Sequence, residues 1–244
     1  MFRYKKILVV SDNLFLISQF HSLVKQYTEV TVDYACSSSN ATFLENNSLP
    51  VKISPVQLKH EWEGLILNYD LVFSLHCKQL FPDGLVQKVK CINVHPGYNP
   101  YNRGWFPQVF SILNGKKAGA TIHEIDEQLD HGAIIAQKEI KIEKWDTSLT
   151  AYIKIQEAEI ELLKYNLQNI LEGNYKAKFP TEEGNINLKK DFNALCNINL
   201  EKQVTMSEAI DYLRAMTHGE YKNAYFIDTN TGRKIYITIH MKPE

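Results

Sequence analysis

Four short strand-type segments, separated by intervals long enough for helices, constrain the fold of this 244-residue chain more than any other feature. They occupy Lys6–Val10, Val30–Ala35, Asp70–Leu75 and Lys90–Val94, and the first is a continuous apolar run typical of a strand buried on both faces. Asn13–Tyr27, which follows the first run, carries apolar residues at helical spacing. Strands separated by helix-length intervals predict an α/β fold with a mostly parallel sheet covered by helices.

The middle of the chain continues this alternation. A short helix is predicted over Pro107–Leu113, and β-type segments are predicted at Ala120–Ile125 and Ala133–Ile142. The longest predicted helix covers Ser148–Glu172, and Gly173 ends it. The apolar stripe predicted on that helix consists of Leu149, Ile153, Ile160, Leu163, Leu167 and Ile170.

The last seventy residues have a different character. Residues 174–199 are polar and poorly periodic, and we interpret them as a connecting segment. Thr205-Met-Ser-Glu208 is a capping-box pattern that predicts a helix to about Met216. Asn223–Asp228 and Lys234–Met241 flank a turn signal and predict a hairpin. We therefore predict a main domain over residues 1–173 and an appendage over residues 174–244, made of the connecting segment, a helix and a β-hairpin.

Composition excludes several classes of protein. Lys and Arg total 27 against 28 Asp and Glu, and a net charge of −1 argues against a nucleic-acid partner. The cysteines Cys36, Cys77, Cys91 and Cys196 are scattered, which is typical of a reducing compartment. No apolar stretch has the length of a signal peptide or a membrane span, and none of the histidines has a recognised zinc spacing. We expect a cytoplasmic protein with neither a membrane partner nor a metal.

Two polar side chains leave the carboxyl end of the fourth strand-type segment. Asn93 and His95 lie at i and i+2, so they share one side of the sheet, and Pro96-Gly97 ends the strand. Open α/β sheets bind their ligands at this edge. Asp130, in a turn between two β-type segments, can reach the same edge. An amide, an imidazole and a carboxylate in one crevice suit acyl transfer to an amine.

An isolated Asn-x-His pair more often satisfies backbone groups after a strand, so the surrounding residues decide the interpretation. They read Asn93-Val-His-Pro-Gly-Tyr-Asn-Pro-Tyr-Asn-Arg-Gly-Trp-Phe-Pro-Gln108, then Gly119-Ala-Thr-Ile-His-Glu-Ile-Asp126 and Leu129-Asp-His-Gly-Ala-Ile-Ile135. These segments resemble the folate-dependent formyltransferases, and the resemblance covers roughly residues 5–142. It implies a Rossmann-like formyltransferase catalytic domain within residues 1–173, with the catalytic roles on Asn93, His95 and Asp130.

Further motifs favour the nucleotide-sugar N-formyltransferase branch of that family. The methionyl-tRNA branch carries an additional basic RNA-binding domain, whereas the tail of this sequence is short and unremarkable in composition. The loop Ser11-Asp-Asn-Leu14 lacks the glycines of the glycinamide ribonucleotide branch. Tyr98–Gln108 and Arg214–Phe226 resemble the sugar branch.

The resemblance implies a substrate pair and a biological setting. The expected reaction moves a formyl group from 10-formyltetrahydrofolate to the amine of a dTDP-linked amino-dideoxy sugar, with 4-amino-4,6-dideoxyglucose as the best candidate, for O-antigen and lipopolysaccharide synthesis. A homodimer is expected, because members of this branch commonly dimerise through their C-terminal regions. The alternatives are the 3-amino isomer of the sugar, hydrolysis of the formyl-folate, and a non-catalytic nucleotide-sugar binding protein.

Roles for individual residues follow from the same resemblance. His95 would be the base, Asn93 would hold the oxyanion, and Asp130 would orient the imidazole. Ser74–Pro82 matches the family segment whose backbone binds the pterin, so Gln79, Leu80 and Phe81, together with Asp130, are the predicted folate contacts. The predicted sugar-nucleotide contacts are Asn13, Lys78, Arg103, Trp105, Tyr221 and Asn223.

Each binding residue has an ordinary alternative. Lys78 and Arg103 suit a diphosphate, but most lysines and arginines are solvated surface cations. Trp105 could equally pack beside the helix that starts at Pro107. His123 and Asp126 are expected to hydrogen-bond nearby loops rather than to act in catalysis.

Overall fold

The computed structural model of the protein describes residues 1–40, 49 and 51–244. Its strands are β1 (Lys6–Ser11), β2 (Thr31–Ser37), β3 (Ile53–Val56), β4 (Leu71–Leu75), β5 (Lys90–His95), β6 (Arg103–Gly104), β7 (Ala118–Glu124), β8 (Ile134–Ile140), β9 (Ile186–Asn187), β10 (Tyr225–Ile227) and β11 (Lys234–Tyr236). Its helices are α1 (Leu14–Val24), α2 (Leu58–Asn68), α3 (Asp83–Val86), α4 (Pro107–Asn114), α5 (Ser148–Glu172), α6 (Lys189–Cys196) and α7 (Met206–Met216).

Seven strands form the central sheet, in the order β3-β2-β1-β4-β5-β7-β8. The first five strands of this order are parallel, and β7 and β8 are antiparallel to their neighbours. The predicted mostly parallel α/β sheet is therefore confirmed. From β1 the chain moves outward to β2 and β3 and then returns to β4 on the other side, so the strand order reverses between β1 and β4. Such a switch point opens a crevice at the carboxyl ends of the two strands.

Alternate residues of the strands build the two layers on either side of the sheet. Ile7 and Val9 of β1 belong to the cluster that packs against α1 and α5. Leu8 and Val10 belong to the opposite cluster, which packs against α2 and α3. A continuous apolar run such as β1 is needed because both of its faces are covered.

Helix α5 has the bounds that the sequence predicts, but its buried face differs from the predicted stripe. Thr147 caps its first turn, and Gly173 ends it with a positive φ of 68°. Ile153 was assigned to the stripe and is 45% exposed. The buried face instead includes Ala151 and Ile155, because residues two positions apart point to nearly opposite sides of a helix.

The C-terminal appendage contains more structure than predicted. The interpretation of residues 174–199 as a connecting segment is wrong at α6, where Phe192 packs into a third apolar cluster shared with α4 and α7. Asp191 stabilises the start of this helix by accepting a 2.7 Å hydrogen bond from the N–H of Leu188. The predicted capping box at Thr205 and the predicted hairpin, β10 and β11, are confirmed.

Among the described elements, five received no prediction from the sequence: β3, α2, α3, β6 and β9. Strand β3 lies at the edge of the sheet and contains Pro55, a residue that interrupts a strand pattern. Helix α2 buries only Leu58 completely and therefore has a weak apolar stripe. Within residues 1–40, 49 and 51–244, no helix is both long and apolar enough to cross a bilayer.

Candidate active site

The structure brings the three predicted catalytic side chains together at the carboxyl end of β5. Nδ2 of Asn93 donates a 2.9 Å hydrogen bond to Oδ1 of Asp130. Nδ1 of His95 lies 3.5 Å from Oδ2 of the same carboxylate, at ion-pair distance. The i, i+2 spacing on β5 and the turn before β8 therefore converge as the sequence predicts.

Asp130 occupies a turn that is held in place from several sides. Its φ is +47°, which costs free energy for a residue with a Cβ. Its backbone carbonyl accepts a 2.8 Å hydrogen bond from Nδ2 of Asn99, and its Oδ2 accepts a 3.0 Å bond from the N–H of Gly104. Burial alone would raise the pKa of Asp130, but His95, His123 and the Gly104 N–H outweigh it and hold that pKa well below its usual range. The carboxylate is therefore ionised.

His95 is a neutral imidazole with a free acceptor nitrogen. The residue is 3% exposed, and burial lowers its pKa to about 4, although Asp130 raises it in part. Because Nδ1 faces Asp130, the ring proton belongs on Nδ1 and the lone pair on Nε2. Within the described residues, Nε2 is buried without a hydrogen-bond partner. This arrangement is that of a base poised to accept a proton.

A glycine makes room for the His95 ring. A Cβ added at Gly97 would lie 2.4 Å from Nε2 of His95 and 3.3 Å from Cγ of Pro107. The Gly97 carbonyl accepts a 2.6 Å hydrogen bond from Oγ1 of Thr121, which fixes the loop after β5. Position 97 of the Asn-x-His-Pro-Gly motif must therefore be glycine, because any larger residue would clash with the imidazole of His95.

Asn93 has a second contact that the sequence did not indicate. Its Nδ2 also lies 3.2 Å from Nε2 of His123. Nδ1 of His123 is 2.6 Å from the carbonyl oxygen of Glu124 and donates to it, which leaves Nε2 as an acceptor. His123 bonds the backbone beside it, as expected, and in addition it contacts the side-chain amide of Asn93. The carboxylate of Asp126 accepts a hydrogen bond from the backbone N–H of Gln128 and contacts the ring Nδ1 of His131.

The predicted folate segment follows β4 at the same edge of the sheet. The side chain of Gln79 accepts from the N–H of Leu58 and donates to Ser37 and to the carbonyl of Val56, so it holds this loop against β2 and α2. Leu80 is 75% exposed, and Phe81 packs on the α2 and α3 side of the sheet. The side-chain amide of Gln79 is used within the protein, so a folate contact at Gln79 would have to use its backbone.

The residues predicted to bind the sugar nucleotide differ in their exposure and in the groups that they contact. Asn13 caps α1 through its Oδ1, and its Nδ2 donates a 3.2 Å hydrogen bond to the hydroxyl of Tyr152. The side chain of Lys78 is exposed, and the backbone N–H of Lys78 donates a hydrogen bond to the carboxylate of Asp12. Trp105 is half-buried with the ammonium of Lys189 5.3 Å from its ring centre.

Arg103 is buried without a partner for its charge. The residue is 3% exposed, and its Nε has no hydrogen-bond partner among the described residues. None of the ion pairs in the described part of the chain includes it. Its charge contributes to the lowered pKa of His95. A buried, unpaired guanidinium is costly unless an anion binds it.

The appendage reaches the same crevice through two rings. The ring of Tyr152 is 5.6 Å from that of His218, which is 5.7 Å from that of Tyr221. Tyr221 is 70% exposed and available to a ligand. Asn223 uses its Nδ2 to bond the carbonyl of Met216, so its side chain holds the end of α7.

Comparison with known proteins now identifies the family. Residues 23–167 match the family model described as formyl transferase, which covers more than half of the chain. Residues 191–243 match the model described as the N-formyltransferase dimerization C-terminal domain. The chain therefore belongs to the formyl transferase family, and it is an N-formyltransferase.

Individual members of the family are similar to this chain over most of its length. The chain is 52% identical over 180 residues to the dTDP-4-amino-4,6-dideoxyglucose formyltransferase of Mycobacterium tuberculosis, covering 74% of this chain and 76% of that protein. It is similar in structure to a 4-N formyltransferase from Francisella tularensis, with 47% identity, a TM-score of 0.95, and coverage of 98% and 99% of the two chains. It is also similar to a sugar N-formyltransferase from Shewanella sp. FDAARGOS_354, with 43% identity, a TM-score of 0.94, and the same coverage.

Replacing Gly97 by Ala should displace the His95 ring and lower kcat/KM by about 10²-fold or more, the usual contribution of a positioned base. Steady-state kinetics, with circular dichroism as a check on folding, measures this effect. The matched control is Gly64→Ala on α2, where an added Cβ meets nothing within 4 Å. Near-normal turnover in a folded Gly97→Ala protein would contradict the placement of His95.

The His95 ring should titrate with a pKa of about 4 because its burial disfavours the charged form. Nuclear magnetic resonance of ¹⁵N-labelled histidine between pH 3.5 and 8 can follow it, with His95→Asn used to assign the signal. The imidazole should be neutral throughout the range from pH 5.5 to 8 and charged only below it. Titration near the ordinary value of roughly 6.5 would contradict a buried, neutral base.

Proposed function

We propose that this N-formyltransferase transfers a formyl group from 10-formyltetrahydrofolate to the amine of a dTDP-linked amino-dideoxy sugar, with 4-amino-4,6-dideoxyglucose as the best candidate. The observation that carries the proposal is the neutral His95, whose Nδ1 faces the ionised Asp130 and whose Nε2 has no hydrogen-bond partner among the described residues. The 52% identity to the Mycobacterium tuberculosis enzyme supports this choice of sugar.

The side chains of the site suit this transfer. Bound 10-formyltetrahydrofolate would supply an activated formyl carbon. Nε2 of His95 would accept a proton from the attacking nitrogen, and Asp130 would stabilise the resulting imidazolium. Asn93 would donate Nδ2–H to the developing oxyanion, for which it must exchange one of its present bonds. The 3.2 Å contact with His123 is the longer of the two and is the one we expect to yield.

We assign the binding contacts on the same basis. The backbone of Gln79, Leu80 and Phe81, with Asp130, would hold the folate at the edge that β4 and β5 share. Arg103 and Lys78 would bind the diphosphate, since an anion would neutralise the buried charge of Arg103. Asn13, Trp105, Tyr221 and Asn223 would line the remainder of the sugar-nucleotide cleft.

We further propose a domain division, an assembly and a cellular setting. Residues 1–173 would be the catalytic domain and residues 174–244 an appendage that pairs two copies into a homodimer. The exposed Ile235 and Tyr236 of β11, at 41% and 42%, support an apolar contact there. The setting would be the cytoplasm, in the synthesis of O-antigen and lipopolysaccharide sugars, consistent with four cysteines that form no disulfide.

Formyl transfer can be tested by offering dTDP-4-amino-4,6-dideoxyglucose and its 3-amino isomer separately with 10-formyltetrahydrofolate. Release of tetrahydrofolate should be rapid with the 4-amino sugar, slower with the isomer and negligible without either. His95→Asn should lower the rate by around 10²–10⁴-fold. Equal release with and without sugar would indicate hydrolysis of the folate instead, and no release with either sugar would contradict the proposal.

Replacing Arg103 by Gln should raise KM for the sugar nucleotide by about 10–100-fold, because a charge-assisted hydrogen bond contributes roughly 1.5–3 kcal/mol. KM for 10-formyltetrahydrofolate should stay within about twofold of wild type, and steady-state kinetics with each substrate varied measures both. The matched control is Lys59→Gln, an exposed cation on α2. If only KM for 10-formyltetrahydrofolate rose, Arg103 would contact the folate and not the sugar nucleotide.

The homodimer can be tested by size-exclusion chromatography with light scattering, which should report the mass of two chains. Ile235→Lys should shift the mass toward one chain because a charge would be buried in the apolar contact. Leu67→Lys on α2, a position 84% exposed, is the control and should remain dimeric. A wild-type mass of one chain would contradict the dimer.

A further inference from the structure

A second buried histidine–carboxylate pair lies at the switch point of the sheet, apart from His95 and Asp130. His76 directly follows β4, and its Nε2 lies 2.7 Å from Oε1 of Glu159 on α5. The side chain of Glu159 is 0% exposed and that of His76 is 11% exposed. A buried carboxylate is costly to keep without a reason, which makes the pair a candidate for function.

The bonds of His76 fix the position of its lone pair. With Glu159 ionised, its carboxylate can only accept, so the Nε2 of His76 that faces it carries the ring proton. Nδ1 is then the acceptor, and it lies 3.0 Å from the hydroxyl of Tyr152. Asn13 donates its Nδ2–H to the same hydroxyl at 3.2 Å, which leaves the Tyr152 proton directed at His76.

This group of side chains faces the crevice where the sugar nucleotide is proposed to bind. The Tyr152 hydroxyl lies between Asn13, after β1, and His76, after β4. His218 and the exposed Tyr221 lie beyond it. Because β4 and β5 are neighbouring parallel strands, His76 and His95 lie at the same edge of the sheet. Among the described residues, the titratable groups that contact His76 are Glu159 and Tyr152 on α5, and His95 lies at the end of the next strand.

The proposed reaction needs a proton acceptor besides His95. A sugar amine enters mainly as the ammonium, and the products are a formamide, the N–H of the released folate, and one proton. His95 can pass one proton from the attacking nitrogen to the leaving nitrogen. The remaining proton must leave the ammonium before attack, since an ammonium has no lone pair.

We propose that His76, paired with Glu159, accepts the proton that the sugar ammonium loses before attack, and that Tyr152 relays it. This inference rests on the proposed function. The ammonium N–H bond breaks and leaves its electron pair on nitrogen, while that proton bonds to the Tyr152 oxygen. The original Tyr152 proton moves to Nδ1 of His76, and the imidazolium stays bonded to Glu159 until water takes the proton after product release.

The buried carboxylate suits this role. Burial raises the pKa of Glu159, and the contact with His76 opposes that rise. Within the described residues, Oε2 of Glu159 has no hydrogen-bond partner, so little besides His76 compensates its charge. A positive charge on His76 would therefore be stabilised by the buried carboxylate beside it.

The test is the pH dependence of kcat/KM for dTDP-4-amino-4,6-dideoxyglucose in wild type, His76→Asn, Tyr152→Phe and Glu159→Gln, between pH 6.5 and 9.5. Asparagine suits the positive φ of 57° at His76, and the other two changes preserve shape. An amine beside electron-withdrawing oxygens titrates near roughly 8, so about a tenth is neutral at pH 7. His76→Asn and Tyr152→Phe should therefore be about tenfold slower than wild type at pH 7 and within about twofold at pH 9. Glu159→Gln should show a smaller deficit with the same recovery.

The controls are Tyr165→Phe, an exposed position on the same helix, and His60→Asn on α2, both expected to match wild type at every pH. The thermal midpoint checks that each variant is folded, and KM for 10-formyltetrahydrofolate checks that each variant still binds the folate. A deficit equal at pH 7 and pH 9, or none at either, would overturn the inference and leave the proposed function standing. A wild type inactive toward amino sugars at every pH would overturn the proposed function itself.

Discussion

One ionised carboxylate, 11% exposed and located in the turn before β8, holds the site together. Asp130 binds the amide of Asn93, faces the imidazole of His95 and accepts from the N–H of Gly104, so one side chain fixes three segments that are remote in the chain. Its turn has a left-handed backbone, which costs free energy that these bonds offset. Without the carboxylate, the amide and the imidazole would keep their strand but lose their common partner.

The order of the strands explains why two histidine–carboxylate pairs lie at the same edge of the sheet. The carboxyl ends of β1, β4 and β5 lie side by side, and each ends in polar residues. His95 with Asp130 lies at the end of β5, and His76 with Glu159 lies at the end of β4. A positive charge on His76 lowers the pKa of His95, because charges act over longer distances in low-dielectric surroundings than in water. In our account one handles the attacking nitrogen and the other prepares it.

The sequence predicted the sheet from local patterns, and it predicted the meeting of Asn93, His95 and Asp130 from the strand spacing together with the family resemblance. The i, i+2 spacing of Asn93 and His95 places them on one face whatever the rest of the chain does. Glu159 could not be predicted in the same way, because Glu157, Glu159 and Glu161 look alike in sequence and only tertiary packing buries the middle one. Helix α6 was missed because Phe192, Leu195 and Cys196 are too few to stand out in a polar segment. The unpaired burial of Arg103 likewise depends on the strand pair β6 and β9, which no local pattern signals.

The central claim is that Asp130 and His95 act as one unit, and a double-mutant cycle tests it most directly. The measurement is kcat/KM for wild type, Asp130→Asn, His95→Asn and the double variant under the same conditions. If the carboxylate works through the imidazole, the double variant should be about as slow as the slower single variant. Losses that multiply would show that the two side chains act independently and would contradict the account.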